Sequence, residues 1–368
     1  MRRIVVVGNG IAGLTAADTL RDAGFDGELT IVGDEPAYSR PALSKALLRN
    51  DLTAHELPPT THGATELIGV RATALSVESR EVTLDDGELL PFDGLVIATG
   101  SRARRLSDLP GELTLRGLSD ALALRDRVAE RPSVLVIGGG PLGMEVASGC
   151  LEAGCAVTLV SQGMPLVAQL GPHLADVFVA AARAHGLTIV ESAGARLEER
   201  DGVTVAVLAE GSVIGAELVV SAVGDVPNTE WLASSGLCAG GPITVDTRGL
   251  VGPGVAAVGD LAAFPSAYGM RRVPLWSSAI EQAKVAARAL VLGEEAPELA
   301  FQSYFWTEGF GLNLKAVGDI PASEPTYVDG DPADPAAGVL LQWPGAAAAL
   351  NVRIPIPKLR RLTEPAFT

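Results

Sequence analysis

Residues 1–45 read MRRIVVVGNGIAGLTAADTLRDAGFDGELTIVGDEPAYSRPALSK, and their order decides the fold. An apolar strand, Ile4 to Val7, runs directly into Gly8, Gly10 and Gly13 in GxGxxG spacing. There the first glycine permits a tight turn, the second lets backbone approach a pyrophosphate, and the third lets the helix pack close to the strand. The spacing predicts a helix from Ile11 to Ala23, with Leu14, Ala17 and Leu20 on its apolar face and Gly24 as its stop. Its N-terminus faces the phosphates. A second strand, Leu29 to Val32, leads to Asp34 and Glu35. An acid about 20 residues past the glycines accepts hydrogen bonds from a ribose diol.

The pattern recurs at residues 133–160, SVLVIGGGPLGMEVASGCLEAGCAVTLV, after a helical stretch from Ser119 to Glu130. A strand at Val134 to Ile137 precedes Gly138, Gly140 and Gly143. Two such units imply two nucleotides, a flavin on the first and a nicotinamide on the second, with hydride passing between them. The second unit departs from the pattern in one respect. Its second strand, Ala156 to Val160, ends in Ser161-Gln162-Gly163, with no carboxylate and no nearby arginine. Ser161 and Gln162 can still bond a ribose as neutral groups, so the preference stays open, with NADH expected ahead of NADPH: weak or relaxed NADH binding fits better than none, a vestigial site being the alternative.

A length of 368 residues predicts two or three domains, and a hydrophobic fraction of 48% suffices for several cores. A net charge of −16 and a pI near 4.7 argue against nucleic acid and anionic membranes as partners. The opening MRR runs straight into a strand without a cleavable segment, and no apolar run nears the ~18 residues of a membrane span. The expected location is cytoplasmic. Cys150, Cys155 and Cys238 cannot form a fully paired framework and read as buried small side chains. The histidines, 55, 62, 173 and 185, are scattered, so no metal site is expected.

Between the units, Pro58 and Pro59 suggest a loop, Ala74 to Val77 and Glu81 to Leu84 alternate like strands, and Asp85-Asp86-Gly87 signals a turn. Residues 93–100, DGLVIATG, form a buried strand whose end, Thr99 and Gly100, lies where an open α/β sheet offers backbone to a ligand. Arg102, Arg104 and Arg105 then read as a solvated loop. Short strands fill Leu187 to Leu218, with turns at Asp201-Gly202 and Glu210-Gly211. Leu218 to Val223 leads into GDVPNT, and Val255 to Val258 ends in Gly259-Asp260. An aspartate there can bond hydroxyls of a long dinucleotide, and a helix from Trp276 to Leu292 can present its N-terminus to it.

Five motifs in order resemble the FAD-dependent ferredoxin reductases of oxygenase systems. They are GNGIAG (Gly8 to Gly13), YSRPALSK (Tyr38 to Lys45), ATG (Ala98 to Gly100), GGGPLGME (Gly138 to Glu145) and VGD (Val258 to Asp260); FWTEGFG, Phe305 to Gly311, resembles the start of their small final domain. The resemblance implies an α/β protein with two Rossmann-like dinucleotide-binding domains and a small α+β C-terminal domain. The boundaries it suggests are 1–107 with 229–297 for FAD, 108–228 for NAD(P) and 298–368 for the last domain. It implies hydride transfer from NAD(P)H to FAD and single electrons to a ferredoxin-type iron–sulphur protein. Lys45 and Glu145 carry over as the catalytic pair, the lysine beside the flavin and the glutamate holding its ammonium.

The flavin set on this resemblance is Gly8, Gly10, Ile11, Ala12, Gly13, Asp34, Glu35, Arg40, Lys45, Ala98, Thr99, Gly100, Gly259, Asp260, Pro274, Leu275, Trp276 and Trp306. The nicotinamide set is Gly138, Gly140, Pro141, Leu142, Gly143, Ser161, Gln162 and Gly224. Trp276 and Trp306 can shield the flavin or anchor a core. The YSRPALSK segment has no cysteine, so a dithiol relay is not expected. Docking of an acidic ferredoxin to so acidic a chain would need local cations such as Arg102, Arg104 and Arg105, or Arg271 and Arg272. Pro274 departs from the acidic residue of relatives and, with Ser161-Gln162, keeps a second reading open: a flavoenzyme of this fold acting directly on a small organic substrate.

Overall fold

The computed structural model describes residues 1–364 except 46, 47, 49, 50, 52, 58, 267, 268 and 301; Pro58 of the expected loop thus lies outside the described residues. The chain divides into two compact units. One comprises Met1–Ser39, Glu56–Arg102 and Asp225–Phe301; the other comprises Arg40–His55, Ala103–Gly224 and Gln302–Thr368. The class is α/β, as the sequence implies.

The first unit is built on a six-stranded sheet in the order Leu250–Gly252, Val255–Ala257, Gly94–Ile97, Arg3–Val7, Glu28–Gly33, Thr65–Ile68. All neighbours are parallel except the outermost pair, Leu250–Gly252 with Val255–Ala257. Strands buried on both faces read as continuous apolar runs. Here Ile4 and Val6 share one core with the helices Ile11–Asp22 and Trp276–Leu292, while Val5 and Val7 share another with Leu75, Val82 and Leu84. The two helices meet through alanines, among them Ala16, Ala17, Ala283 and Ala286, whose small side chains allow close approach. The strands Ala72–Ser76, Glu81–Leu84 and Leu89–Pro91 form an antiparallel meander, turning at Asp85-Asp86-Gly87 as expected.

The second unit repeats the plan with a five-stranded parallel sheet, Thr188–Glu191, Ala156–Ser161, Ser133–Ile137, Leu218–Ser221, Glu112–Thr114. A meander of Ala195–Arg200, Val203–Leu208 and Val213–Gly215 covers one face, Leu197, Ala206 and Leu208 packing on Leu135, Ile137, Val160 and Val219. The unit ends in a five-stranded antiparallel sheet, Tyr304–Gly309, Leu312–Val317, Ala346–Leu350, Val339–Trp343, Tyr327–Asp329, closed by the helix Ile356–Arg361 through Leu359.

Two local expectations are corrected. Residues 101–103 are a strand rather than loop, although Arg102, Arg104 and Arg105 stay exposed as expected; Arg102 pairs with Glu230 at 2.6 Å, and Arg105 donates to the Glu112 carbonyl at 2.9 Å. Arg272 is not a docking cation either, since its guanidinium grips both carboxylate oxygens of Asp225 at 2.7 and 2.5 Å.

Glu112 is buried and organises the segment before it. Its carboxylate accepts from the amides of Leu106 (2.8 Å) and Ser107 (2.9 Å) and from the Ser107 hydroxyl (2.9 Å). Burial alone would raise its pKa; these donors outweigh burial and bring it below its ordinary 4.5. A depressed folded-state pKa gives stability that is present above the unfolded value and lost as pH falls through the folded one. Melting temperature should therefore fall less steeply for Glu112→Gln than for the parent between about pH 5 and 3. Parallel curves over that range would exclude this role. Among the described residues, no helix is long and apolar enough to cross a membrane, and no cluster of His, Cys, Asp and Glu is arranged to hold a metal.

Candidate functional site

Each unit carries a glycine cradle, and the two correspond atom for atom. In the first, the Gly8 amide donates to the Val32 carbonyl at 2.7 Å and the Ala98 amide to the Val7 carbonyl at 2.8 Å. In the second, Gly138 donates to Val160 at 2.8 Å and Ala222 to Ile137 at 2.7 Å. Gly8 has φ +109°, and a Cβ there would lie 2.2 Å from the Ala98 oxygen; Gly138 has φ +121°, with the Ala222 oxygen at the same 2.2 Å. Only glycine fits such positions. A Cβ on Gly13 would meet the Gly8 oxygen at 1.8 Å, and one on Gly143 the Gly138 oxygen at 1.9 Å. Gly10 and Gly140 face open space, with nothing within 4 Å of an added Cβ, and cap helices that have no side-chain cap of their own. Open space before an uncapped helix N-terminus suits a pyrophosphate, so the cradle residues fit a bound dinucleotide.

The first cradle separates its two acids. Asp34 is exposed and pairs with Arg71 at 3.4 Å. Glu35 turns inward: its carboxylate accepts from the Tyr38 hydroxyl at 2.6 Å, and its carbonyl from the Asn9 amide nitrogen at 2.6 Å. Asn9 fits because Gly33, opposite, has no side chain; a Cβ there would lie 2.4 Å from Asn9 Oδ1. Thr99 and Gly100, at the end of Gly94–Ile97, are fixed by Asn228. Its backbone amide donates to the Gly100 carbonyl at 2.9 Å, its side chain to the Thr99 carbonyl at 2.9 Å, and its own carbonyl accepts from the Thr99 hydroxyl at 2.7 Å. Asp260 follows Gly259, whose amide donates to the Gln282 side-chain oxygen at 2.7 Å, while Arg272 donates to the Asp260 carbonyl at 2.9 Å. Pro274, Leu275 and Trp276 lead into the helix Trp276–Leu292, and Trp276 is half-buried. Asn9, Asn228 and Gln282 act through side chains that spacing does not single out.

In the second cradle, Ser161 is buried beneath the glycine turn, where a Cβ on Gly139 would lie 2.0 Å from its hydroxyl; Gln162 is exposed, and Gly224 has φ +97°. The second turn of Pro141–Glu152 also carries Glu145, 6% exposed. One of its oxygens accepts from Lys45 Nζ at 2.9 Å and the Ser44 hydroxyl at 2.5 Å, the other from the Thr307 hydroxyl at 2.6 Å. Lys45 Nζ also lies 6.0 Å from the centre of the Trp306 ring, which stacks on Tyr304 at 5.6 Å. Trp306 is half-buried, a cation platform rather than a core anchor. Arg40 donates to the Arg116 carbonyl at 3.0 Å.

All three thiols are free. Cys150 and Cys155 are buried as expected, whereas Cys238 is partly exposed. Burial, aided by Cys155, pushes the Cys150 thiol up to about 12, and burial raises Cys155 as well. Since the thiolate is the nucleophile, iodoacetamide at about pH 8 should label Cys238 and spare the other two in the folded protein. Mass spectrometry finding equal labelling of Cys150 would contradict this.

Two parallel-sheet nucleotide cradles in one chain, with a buried lysine–glutamate pair and no reactive dithiol, define an oxidoreductase of the two-dinucleotide class. The chain belongs to the pyridine nucleotide-disulphide oxidoreductase family, whose pattern it matches over residues 2–283. It is 34% identical over 330 residues, 86% of this chain and 81% of the relative, to the ferredoxin–NAD(+) reductase component of the p-cumate 2,3-dioxygenase system of Pseudomonas putida. It is 31% identical over 378 residues to putidaredoxin reductase of Pseudomonas putida, covering 96% and 89% of the two chains. Among solved structures, the covalent putidaredoxin reductase–putidaredoxin complex superposes with a TM-score of 0.85 at 28% identity, covering 98% of this chain and 93% of that one.

Proposed function

We propose that this protein is an FAD-dependent reductase that takes hydride from NADH and delivers electrons singly to a ferredoxin-type iron–sulphur protein serving an oxygenase. The observation that supports the reading is the Glu145 cluster, which holds the Lys45 ammonium in a segment, YSRPALSK, that has no cysteine. FAD, when bound, supplies the conversion of a two-electron hydride into single electrons, which no side chain here can perform. The chain's residues bind and orient. Gly8, Gly10 and Gly13, with the N-terminus of Ile11–Asp22, take the pyrophosphate, Glu35 takes the ribose, and Thr99, Gly100, Gly259 and Asp260 line the carboxyl end of the first sheet. Gly138, Gly140 and Gly143 hold the nicotinamide coenzyme in the same manner. Lys45 keeps a positive charge at a fixed place through Glu145, and stabilises negative charge as it develops on the reduced cofactor.

The domain assignment follows this division of labour: 1–107 with 229–297 for FAD, 108–228 for the coenzyme and 298–368 as the final domain. Three unpaired thiols suit a reducing compartment, and we place the protein in the cytoplasm. Anaerobic stopped-flow of the flavin-loaded protein against NADH tests the reading directly. The expected result is rapid bleaching, followed by reoxidation on adding an oxidised ferredoxin. A flavin that dithionite reduces but neither NADH nor NADPH does would remove the reductase reading in favour of direct chemistry on an organic substrate.

A further inference from the structure

The second cradle lacks the ribose carboxylate of the first, and the two sheets show where another one stands. Matching the strand registers aligns Asn9 with Gly139, Gly33 with Ser161 and Glu35 with Gly163. No acid follows Ser161 until Asp176, and no lysine or arginine until Arg183. The next strand outward differs in the opposite sense. In the first sheet Gly33 is in register with Ile68; in the second, Ser161 is in register with Glu191. Register partners in neighbouring strands project from the same face about 4.8 Å apart. The Ser161 hydroxyl lies against Gly139 of the glycine turn, so the exposed Glu191 carboxylate projects on the side of the sheet that faces the cradle. The pairing continues past it, the Ser192 amide donating to the Ser161 carbonyl at 3.0 Å, which fixes the strand end. The first unit thus combines an acidic loop with an apolar residue, Ile68, at the end of its third strand, and the second a neutral loop with an acid, Glu191, at that register position.

We propose that Glu191 is the residue that selects a coenzyme with a free 2′-hydroxyl over one with a 2′-phosphate. Resting on the assignment of the second cradle to the nicotinamide coenzyme, the proposal gives that site its specificity. The carboxylate accepts from the ribose hydroxyl and repels a phosphate in its place, and no cation in the Gln162–Pro172 segment offsets that repulsion.

The test is calorimetric titration of the flavin-loaded protein with NAD+ and NADP+, on the parent, Glu191→Gln and Glu191→Lys, with flavin reduction by NADH measured on the same samples. The parent should bind NAD+ about tenfold or more tightly than NADP+, Glu191→Gln should bring the ratio to within about twofold, and Glu191→Lys should reverse it. A parent without preference, or a Glu191→Gln ratio equal to the parent's, overturns the assignment while NADH reduction of the flavin keeps the reductase reading intact. A parent that binds neither coenzyme and whose flavin NADH leaves oxidised overturns both.

Discussion

Gly13→Ala and Gly10→Ala, each adding one methyl to the same turn, should fail in different ways. At Gly13 the new Cβ would sit 1.8 Å from the Gly8 carbonyl oxygen, 3.0 Å from its carbon and 3.3 Å from the Val6 side chain. The clash is with backbone that the Gly8 amide and the parallel ladder already pin, so it cannot be relieved by a rotamer change. A cost of about 3 kcal/mol or more follows, and the variant should be recovered poorly and without flavin. At Gly10 an added Cβ meets nothing within 4 Å. That variant should fold with a melting temperature close to the parent's apoprotein, yet retain little FAD, because the methyl occupies the space through which a pyrophosphate approaches the helix. Circular dichroism and flavin absorbance after desalting separate the two. A yellow, well-folded Gly13→Ala would refute the clash, and full flavin retention in Gly10→Ala would show that the phosphate does not lie against that turn.

Removing the Glu145 carboxylate should be the most damaging change in the second unit. Glu145→Ala leaves the Lys45 ammonium, with only 13% of its side chain exposed, facing the Ser44 and Thr307 hydroxyls without a counter-charge. Breaking a buried pair by deleting one partner costs about 3–5 kcal/mol. For a unit of this size that lowers the melting temperature by roughly 6–20 °C. Glu145→Gln keeps the shape and two acceptor lone pairs, and should recover part of the stability but little of the flavin reduction rate, because charge is what holds the ammonium. Replacing both members, Lys45→Met with Glu145→Leu, should melt above the single Glu145→Ala variant while remaining inactive. If Glu145→Ala melted like the parent, the three hydrogen bonds would not be structural.

The cradles were legible in the sequence because their rules are local. Glycine spacing and the apolar run before it, and in the first cradle the acid after it, all fall within 35 residues, and the helix Trp276–Leu292 is marked by its own periodicity and by Gly293. What was not legible depends on distance or on a broken pattern. Ser44 and Thr307 stand 101 and 162 residues from Glu145, and nothing in their neighbourhoods marks them as its donors. The helix Val167–Ala184 is interrupted by Gly171-Pro172, with φ +67° at the glycine, so its two halves do not read as one periodic segment. Charge runs mislead for a related reason: Arg102, Arg105 and Arg272 resemble a docking patch in one dimension, whereas Glu230, Glu112 and Asp225 take them up in three.

The strand order of the first sheet has a consequence for synthesis on the ribosome. Gly94–Ile97 lies between Arg3–Val7 and Val255–Ala257 in the finished sheet, and the latter strand leaves the ribosome roughly 160 residues later. At about 5–20 residues per second the nascent chain spends some 8–30 s with an apolar, unpaired edge. An open edge of this kind is a template for pairing with another chain. Slowed elongation beyond residue 97 should therefore favour aggregation, and a chaperone that shields the edge should raise the yield more than one acting after release.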